Sequence, residues 1–155
     1  MKQERLSVDI AIVGAGPAGL SAARAAARSG VTIAIVDDNP RAGGQIWRQP
    51  AAATPVPAAA ERLAVLRLPN VRHLAATRIV AESQPHTLLL EDDERALLLE
   101  YRTLILCCGA RELLLPFPGW TLPGVTGAGG LQALIKYGLD VRGRRIVIAG
   151  SGPLL

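Results

Sequence analysis

Two short apolar runs with an alanine-rich stretch between them open the hydrophobic pattern of the chain. Residues 8–13 and 31–36 are rich in Val and Ile and predict buried strands, while residues 17–29 predict a helix. Pro17 stands in the first turn, where a helix tolerates proline, and Gly30 follows as a C-terminal stop. Because a crossover between parallel strands is right-handed, we expect these two strands to be parallel in one sheet.

Further along the chain, the pattern predicts mostly short strands. The additional predicted elements are a helix at 58–68, strands at 71–74, 77–80, 87–90, 96–99 and 103–108, a helix at 131–137 and a strand at 145–149. The acidic residues 91–94 predict a hairpin turn. Together these elements predict an α/β fold, with a parallel sheet covered by helices and a small antiparallel β insertion at about 71–100.

The turn between the first strand and the first helix holds the strongest candidate chemistry. The G-x-G-x-x-G pattern of dinucleotide-binding loops is matched by Gly14, Ala15, Gly16, Pro17, Ala18 and Gly19. In such a loop the first glycine permits a tight turn, the second lets a pyrophosphate approach the backbone, and the third allows close packing of helix and strand. The helix N-terminus adds free N–H groups and the positive end of its dipole.

An acidic pair follows the second strand, where a dinucleotide would place its ribose. Asp37 lies 18 residues after Gly19, and its carboxylate is predicted to accept hydrogen bonds from ribose hydroxyls and to repel a 2′-phosphate. An NADP-type ligand is therefore disfavoured. Asp38 could share this role or take it over. The alternative is that the glycines serve only a tight turn and that the acid is merely exposed.

The composition argues against a nucleic-acid-binding protein and against a membrane-spanning one. The chain has 155 residues, the length of one ordinary domain, and a formal net charge of +4. Its arginines are scattered and only 3% of its residues are aromatic, which argues against nucleic-acid binding. No apolar run has the length of a membrane span, so we expect a cytoplasmic protein whose adjacent Cys107 and Cys108 are reduced. No residues have metal-ligand spacing, and no catalytic residue is assigned.

Two further glycine segments make the pattern resemble a known family. Gly43 and Gly44 follow the acidic pair, and the predicted strand 103–108 ends at Gly109. With the first loop and the antiparallel insertion, they resemble the FAD-binding half of the pyridine nucleotide-disulfide oxidoreductase-like flavoproteins, over essentially the whole chain. Segments 41–48 and 109–130 are similar to the FAD-binding subunits of heteromeric amine and amino-acid dehydrogenases, the group of opine oxidase, hydrogen cyanide synthase and hydroxyproline dehydrogenase.

The resemblance implies a Rossmann-like FAD-binding fold and assigns residues to the cofactor. The first glycine loop would hold the pyrophosphate, and Asp37 would hold the adenosine ribose. The residues that would lie along the pyrophosphate and toward the flavin are Arg41, Gly43, Gly44 and Gln45. A backbone group near Ile79 would meet the adenine, and Gly109 would let the end of its strand approach the cofactor. Cys107 and Cys108 depart from the small Ala-Thr pair that is usual in the family.

The resemblance also implies an activity, a partner and a domain arrangement. The reaction would be oxidation of a C–N bond in a small amine or amino acid, with the flavin as hydride acceptor, and the partner would be a second flavoprotein subunit. Residues 145–152 resemble the start of a second nucleotide-binding domain, for NAD(P) or another nucleotide. We therefore expect residues 1–140 to be the N-terminal part of an FAD domain and residues 141–155 to be the incomplete start of the second domain in a truncated chain.

Two alternatives to this function stay open. The first is a truncated, non-catalytic fragment that binds only the ADP part of a nucleotide or only pairs with another chain. The second is a simple NAD-binding protein of Rossmann type. The segment Gly43-Gly44-Gln45 and the antiparallel insertion count against the second alternative.

Overall fold

The computed structural model of the protein describes residues 4–48 and 53–151. The elements, in chain order, are β1 (Glu4–Val13), α1 (Pro17–Ala27), β2 (Ile33–Val36), α2 (Pro57–Leu63), a 3₁₀ turn (Ala64–Arg67), β3 (Val71–Leu74), β4 (Arg78–Gln84), β5 (Thr87–Glu91), β6 (Ala96–Leu106) and α3 (Ala128–Lys136). The helix predicted at 58–68 is thus an α-helix that ends in a tighter turn, and the other predicted helices lie within a few residues of their expected positions.

The strands form a six-stranded sheet in the order β3-β2-β1-β6-β5-β4. β1 pairs in parallel with β2 on one side and with β6 on the other, and β2 pairs in parallel with β3. β5 is antiparallel to both β6 and β4. The predicted α/β architecture, a parallel sheet with a small antiparallel addition, is confirmed. The central place of β1 explains the nearly continuous apolar run in its second half, because a central strand of a parallel sheet is buried on both faces.

Both faces of the sheet carry part of the core. Ala11 and Ile12 are neighbours on β1 and are fully buried, yet they belong to different apolar clusters, since successive side chains of a strand point to opposite faces. Leu99 lies in the cluster with Ala11. In the cluster with Ile12, Leu20 and Ala23 pack from α1, because residues three apart share one face of a helix. This packing holds the start of α1 beside the end of β1.

The structure corrects the expected strand partners. The segments predicted as separate strands at 96–99 and 103–108 form one strand, β6, whose first half pairs with β5 while most of its length runs beside β1. β3 was expected in the antiparallel insertion but pairs in parallel with β2, so the antiparallel part consists of β4, β5 and the beginning of β6. An apolar pattern shows which face of a strand is buried but does not identify its neighbour.

The strand predicted at 145–149 is not formed. Residues 145–150 have no regular secondary structure, and Val147 is 86% exposed. A strand is stabilised by pairing its backbone N–H and C=O groups with a neighbour, and no strand within residues 4–48 and 53–151 pairs with this segment. The expected second nucleotide-binding domain at 141–155 therefore stays a prediction.

Two compact units divide the chain, the first made of Met1–Trp47 and Pro55–Gly109 and the second of Arg48–Thr54 and Ala110–Leu155. The first unit contains the sheet, α1 and α2. The second contains α3, and none of its described residues is buried. Glu112 caps α3: its carboxylate accepts hydrogen bonds from the N–H groups of Gly129 and Gly130 at 3.0 and 3.1 Å, and these bonds lower the pKa of Glu112. No helix in the described ranges is long and apolar enough to cross a membrane.

Candidate dinucleotide-binding site

The first glycine loop joins the end of β1 to the start of α1 in very little space. Gly14 has a φ of +100°, and a Cβ atom there would lie 2.4 Å from the carbonyl oxygen of Cys107 at the end of β6. A Cβ atom on Gly19 would lie only 1.9 Å from the carbonyl oxygen of Gly14. Both distances are shorter than any real contact. The first and third glycines of the pattern are therefore required for the packing of α1 on the parallel strands.

Gly16 is different, because a Cβ atom there would make only an ordinary van der Waals contact. A Cβ atom there would meet no atom nearer than the Cα of Gly44, at 3.8 Å. The backbone of Gly16 is extended, with φ −77° and ψ −174°, a conformation open to every residue type. The fold itself therefore does not require glycine at position 16. A ligand that approaches the backbone closely would require glycine there, because a side chain would occupy the space of the ligand.

The second glycine segment is bonded directly to the first. The N–H of Gly43 donates to the carbonyl of Ala15 at 2.8 Å. Gly44 has a φ of +57°, and a Cβ atom there would lie 3.0 Å from the Cα of Gly16. A side chain on Gly44 would therefore press against the backbone of Gly16, whereas a Cβ atom on Gly16 would keep an ordinary contact distance from Gly44. The structure therefore brings Gly16 and Gly44 together, as expected if both line one pyrophosphate.

The N-terminus of α1 lies at the same place as the two glycine segments. Gly16 is its N-cap residue and, being glycine, has no side chain that could make a capping hydrogen bond. Its first turn contains no acidic residue. Because the first N–H groups of a helix lack partners within the helix and the dipole is positive at this end, the arrangement favours an anion.

Asp37 faces into the protein, not away from it. Only 7% of its surface is exposed, and its Oδ2 accepts a hydrogen bond from the N–H of Ala15 at 2.5 Å. Its Oδ1 accepts bonds from the backbone N–H and the side-chain Nδ2 of Asn39, both at 2.8 Å. Asp38 is exposed, and its Oδ1 accepts a bond from the same Nδ2 at 2.9 Å. The two carboxylates thus have different surroundings although they are neighbours in sequence.

Residues Asp37, Asp38 and Asn39 form an acidic corner after β2, and the turn between β3 and β4 is hydrogen-bonded to it. The N–H of Thr77 donates to the carbonyl of Asp37 at 2.9 Å, and the N–H of Ala76 donates to the carbonyl of Asn39 at 3.0 Å. Asn39 and Thr77 were missed in the sequence, because the bonds between them and Asp37 depend on how the chain turns after β2 and β3. An Asn two residues after an acid at a strand end is the one available signal, since this residue type commonly bonds in turns.

His73 on β3 lies beside the acidic corner. Its Nε2 is buried and has no hydrogen-bond partner within the described residues. Burial lowers the pKa of His73, and the negative charge of Asp37 opposes this by raising it. Of these two opposing effects on the pKa of His73, burial is the larger.

The remaining predicted cofactor residues lie on the segment around Gly43, on β4 and after the end of β6. Arg41 and Gln45 are exposed on the segment around Gly43. Ile79 lies on the edge strand β4, where its side chain packs against the apolar cluster of the sheet. Gly109 has a φ of +71° and open space at its Cβ direction. The sites proposed for Arg41, Gln45, Ile79 and Gly109 stay predictions.

The cysteine pair lies at the end of β6, beside the first glycine loop. The N–H of Cys107 donates to the carbonyl of Val13 at 2.7 Å, and its side chain is half-buried while that of Cys108 is exposed. Burial is the main cause that raises the pKa of the Cys107 thiol. No group of three or more His, Cys, Asp and Glu side chains in the described ranges is arranged to hold a metal ion.

Comparison with known proteins places the fold and the family. The chain is 38% identical over 162 residues to HcnB, a component of the hydrogen cyanide synthase of Pseudomonas protegens, covering 97% of the chain and 34% of that protein. It is 34% identical over 169 residues to one of the subunits of the opine oxidase of Agrobacterium tumefaciens, covering 95% and 33%. The chain thus spans about a third of the length of these relatives.

The structural comparison supports the same fold at lower sequence identity. L-proline dehydrogenase from P. horikoshii superposes with a TM-score of 0.68 over 88% of this chain and 29% of that one, at 19% identity. At this identity the likeness concerns the fold alone. The model of the family described as pyridine nucleotide-disulphide oxidoreductase matches residues 8–154. Since this match covers nearly the whole chain and includes both glycine segments, the protein belongs to the pyridine nucleotide-disulphide oxidoreductase family.

Proposed function

We propose that this chain is the FAD-binding part of an oxidoreductase subunit that oxidises a C–N bond of a small amine or amino acid. The observation that carries the proposal is the close approach of the two glycine segments. Gly43 bonds to Ala15, and Gly44 lies so close to Gly16 that a Cβ atom on Gly44 would be 3.0 Å from the Cα of Gly16. Two glycine backbones in close approach beside a helix N-terminus keep side chains away from the helix start, which suits the pyrophosphate of a dinucleotide.

The residues of this site fit FAD on three counts. The backbone at Gly16 and the first N–H groups of α1 would bind the pyrophosphate, and Gly44 would let the chain pass close to it. The acidic corner after β2 would bind the adenosine ribose. The N–H of Ala15 is held by Asp37, so the loop is ordered by the chain's own bonds. When bound, FAD supplies the hydride-accepting isoalloxazine, and the protein supplies binding and orientation.

The substrate class and the partner are inferred from relatives. These relatives are components of an opine oxidase, a sarcosine oxidase and a hydrogen cyanide synthase. All three are named as subunits, which supports the presence of a partner chain, and we propose that this partner is a flavoprotein. We further propose that residues 141–155 begin a second site for NAD(P) or another nucleotide. A cytoplasmic location stays a prediction.

A second candidate function is a chain that binds only the ADP part of a nucleotide or serves to pair with another polypeptide. It is favoured by the second unit, in which large apolar side chains are exposed. Leu113 is 81% exposed and Val147 is 86% exposed. Exposed apolar surface on this scale is typical of protein contact sites.

Flavin retention separates the two candidates. The chain is incubated with excess FAD, passed through a gel-filtration column, and its visible absorption spectrum is recorded, with NAD in place of FAD as the control. We expect flavin absorption bands that correspond to about one FAD per chain. Colourless protein that is nevertheless stabilised against thermal unfolding by ADP would support the second candidate. Protein that responds to neither ligand would contradict FAD binding and ADP binding alike, and would leave only the pairing role of the second candidate.

A further inference from the structure

We propose that the two carboxylates after β2 have separate tasks: Asp38 contacts the ribose and selects against a 2′-phosphate, whereas Asp37 is a positioning residue that holds the pyrophosphate loop. This inference rests on the proposed dinucleotide binding. It departs from the expectation, drawn from spacing, that Asp37 itself holds the ribose. It follows from the difference in burial and in hydrogen bonding between the two neighbours.

The carboxylate of Asp37 is already occupied by the chain. One oxygen accepts the N–H of Ala15, at the centre of the glycine loop, and the other accepts two bonds from Asn39. The backbone of Asp37 is bonded as well, from its N–H to the carbonyl of Leu74 and from the N–H of Thr77 to its carbonyl. With 7% of its surface exposed, this residue offers a ribose hydroxyl little access. A hydroxyl that displaced the bond from Ala15 would leave a loop N–H unpaired.

Asp38 is placed to meet a ligand instead. It is exposed, and within the described residues only its Oδ1 accepts a hydrogen bond, from Nδ2 of Asn39. The same Nδ2 donates to Asp37 at 2.8 Å and to Asp38 at 2.9 Å, so one amide group holds the two carboxylates side by side. The Oδ2 of Asp38 is left to accept a hydroxyl.

This placement gives Asp38 control over the 2′ position of the ribose. A hydroxyl donating to a carboxylate makes a charge-assisted hydrogen bond, which is stronger than one between neutral groups. A 2′-phosphate at the same position would bring two negative groups together and be repelled. The carboxylate of Asp37 accepts the N–H of Ala15 and so orders the glycine loop. Its loss would weaken the binding of every nucleotide, whatever the substituent on the ribose.

Titration of two ligands into three proteins tests whether Asp37 and Asp38 have these separate tasks. ADP and 2′-deoxy-ADP are titrated by calorimetry into the wild-type chain, Asp38→Asn and Asp37→Asn. The wild type is expected to bind ADP roughly tenfold more tightly than 2′-deoxy-ADP. Asp38→Asn should bind ADP roughly tenfold more weakly than the wild type does and bind the two ligands equally. Asp37→Asn should bind both more weakly, keep the preference for ADP and unfold at a lower temperature.

Other results of these titrations would overturn either the separate tasks of the two acids or the proposed function itself. A preference for ADP that persists in Asp38→Asn, or that disappears in Asp37→Asn alone, overturns the division. If Asp37→Asn fails to fold, the comparison of the wild type with Asp38→Asn decides on its own. A wild type that binds neither nucleotide overturns the proposed function itself, so the two failures are distinguishable. A third ligand, ADP carrying a 2′-phosphate, should gain affinity in Asp38→Asn relative to the wild type.

Discussion

Replacing Gly16 with Val is expected to abolish dinucleotide binding while the fold stays intact. The extended backbone at this position accepts valine, and its Cβ atom would meet nothing nearer than the Cα of Gly44, at 3.8 Å. The branched side chain would, however, fill the space over the start of α1 that the pyrophosphate needs. We expect an affinity loss of about a hundredfold or more, which is ~2.8 kcal/mol.

Calorimetric titration with ADP measures this loss, and urea unfolding followed by circular dichroism measures the fold. Valine is a poorer N-cap residue than glycine, so the free energy of unfolding should fall by about 1 kcal/mol at most. Gly16→Ala, with a smaller side chain, should lose affinity to a lesser degree. An unchanged affinity in Gly16→Val would mean that no phosphate approaches this backbone.

Gly19→Ala should destabilise the protein, in contrast to the same change at Gly16. The new Cβ atom would lie 1.9 Å from the carbonyl oxygen of Gly14 and 3.3 Å from Cγ2 of Ile12. The nearer atom belongs to the backbone and has no other rotamer, so α1 must move away from the end of β1. Alanine gains about 1 kcal/mol in helix propensity, but overpacking of a buried contact costs about 1–3 kcal/mol and at times more. Because the clash is with the backbone, we expect a cost at the upper end of this range and a net loss of up to about 2 kcal/mol in the free energy of unfolding.

Gly16→Ala is the matched control for that experiment, since it adds the same methyl group three residues earlier and meets no close contact. Urea unfolding of both variants under identical conditions gives the comparison. Equal stability of Gly19→Ala and Gly16→Ala would show that α1 does not pack against the glycine loop as closely as the structure indicates.

The loop and its flanking elements could be predicted because they depend on local sequence. The apolar runs around residues 8–13 and 31–36, the alanine-rich helix and three glycines at fixed spacing each follow from short-range geometry. Strand partners depend on contacts between distant residues. For that reason β3 was assigned to the antiparallel unit although it pairs with β2, and one long strand, β6, was divided into two.

The site was predictable in its composition but not in its internal bonding. The family resemblance identified Gly43 and Gly44, but their approach to Ala15 and Gly16 depends on how residues 38–42 turn back toward the loop. The sequence does not indicate which of the two adjacent acids, Asp37 or Asp38, faces the interior of the protein. The burial of Asp37 follows from the N–H of Ala15, a partner 22 positions away in the chain.

The central claim is that the joined glycine segments bind a dinucleotide, and NMR spectroscopy tests it most directly. Amide proton–nitrogen spectra of the chain are recorded as ADP is added. The account predicts that the largest shifts occur at Ala15, Gly16 and Ala18, at Asp38 and at Gly44, while the amides of α3 stay in place. Spectra that do not change, or shifts concentrated on the β4–β5 hairpin or on α3, would contradict it.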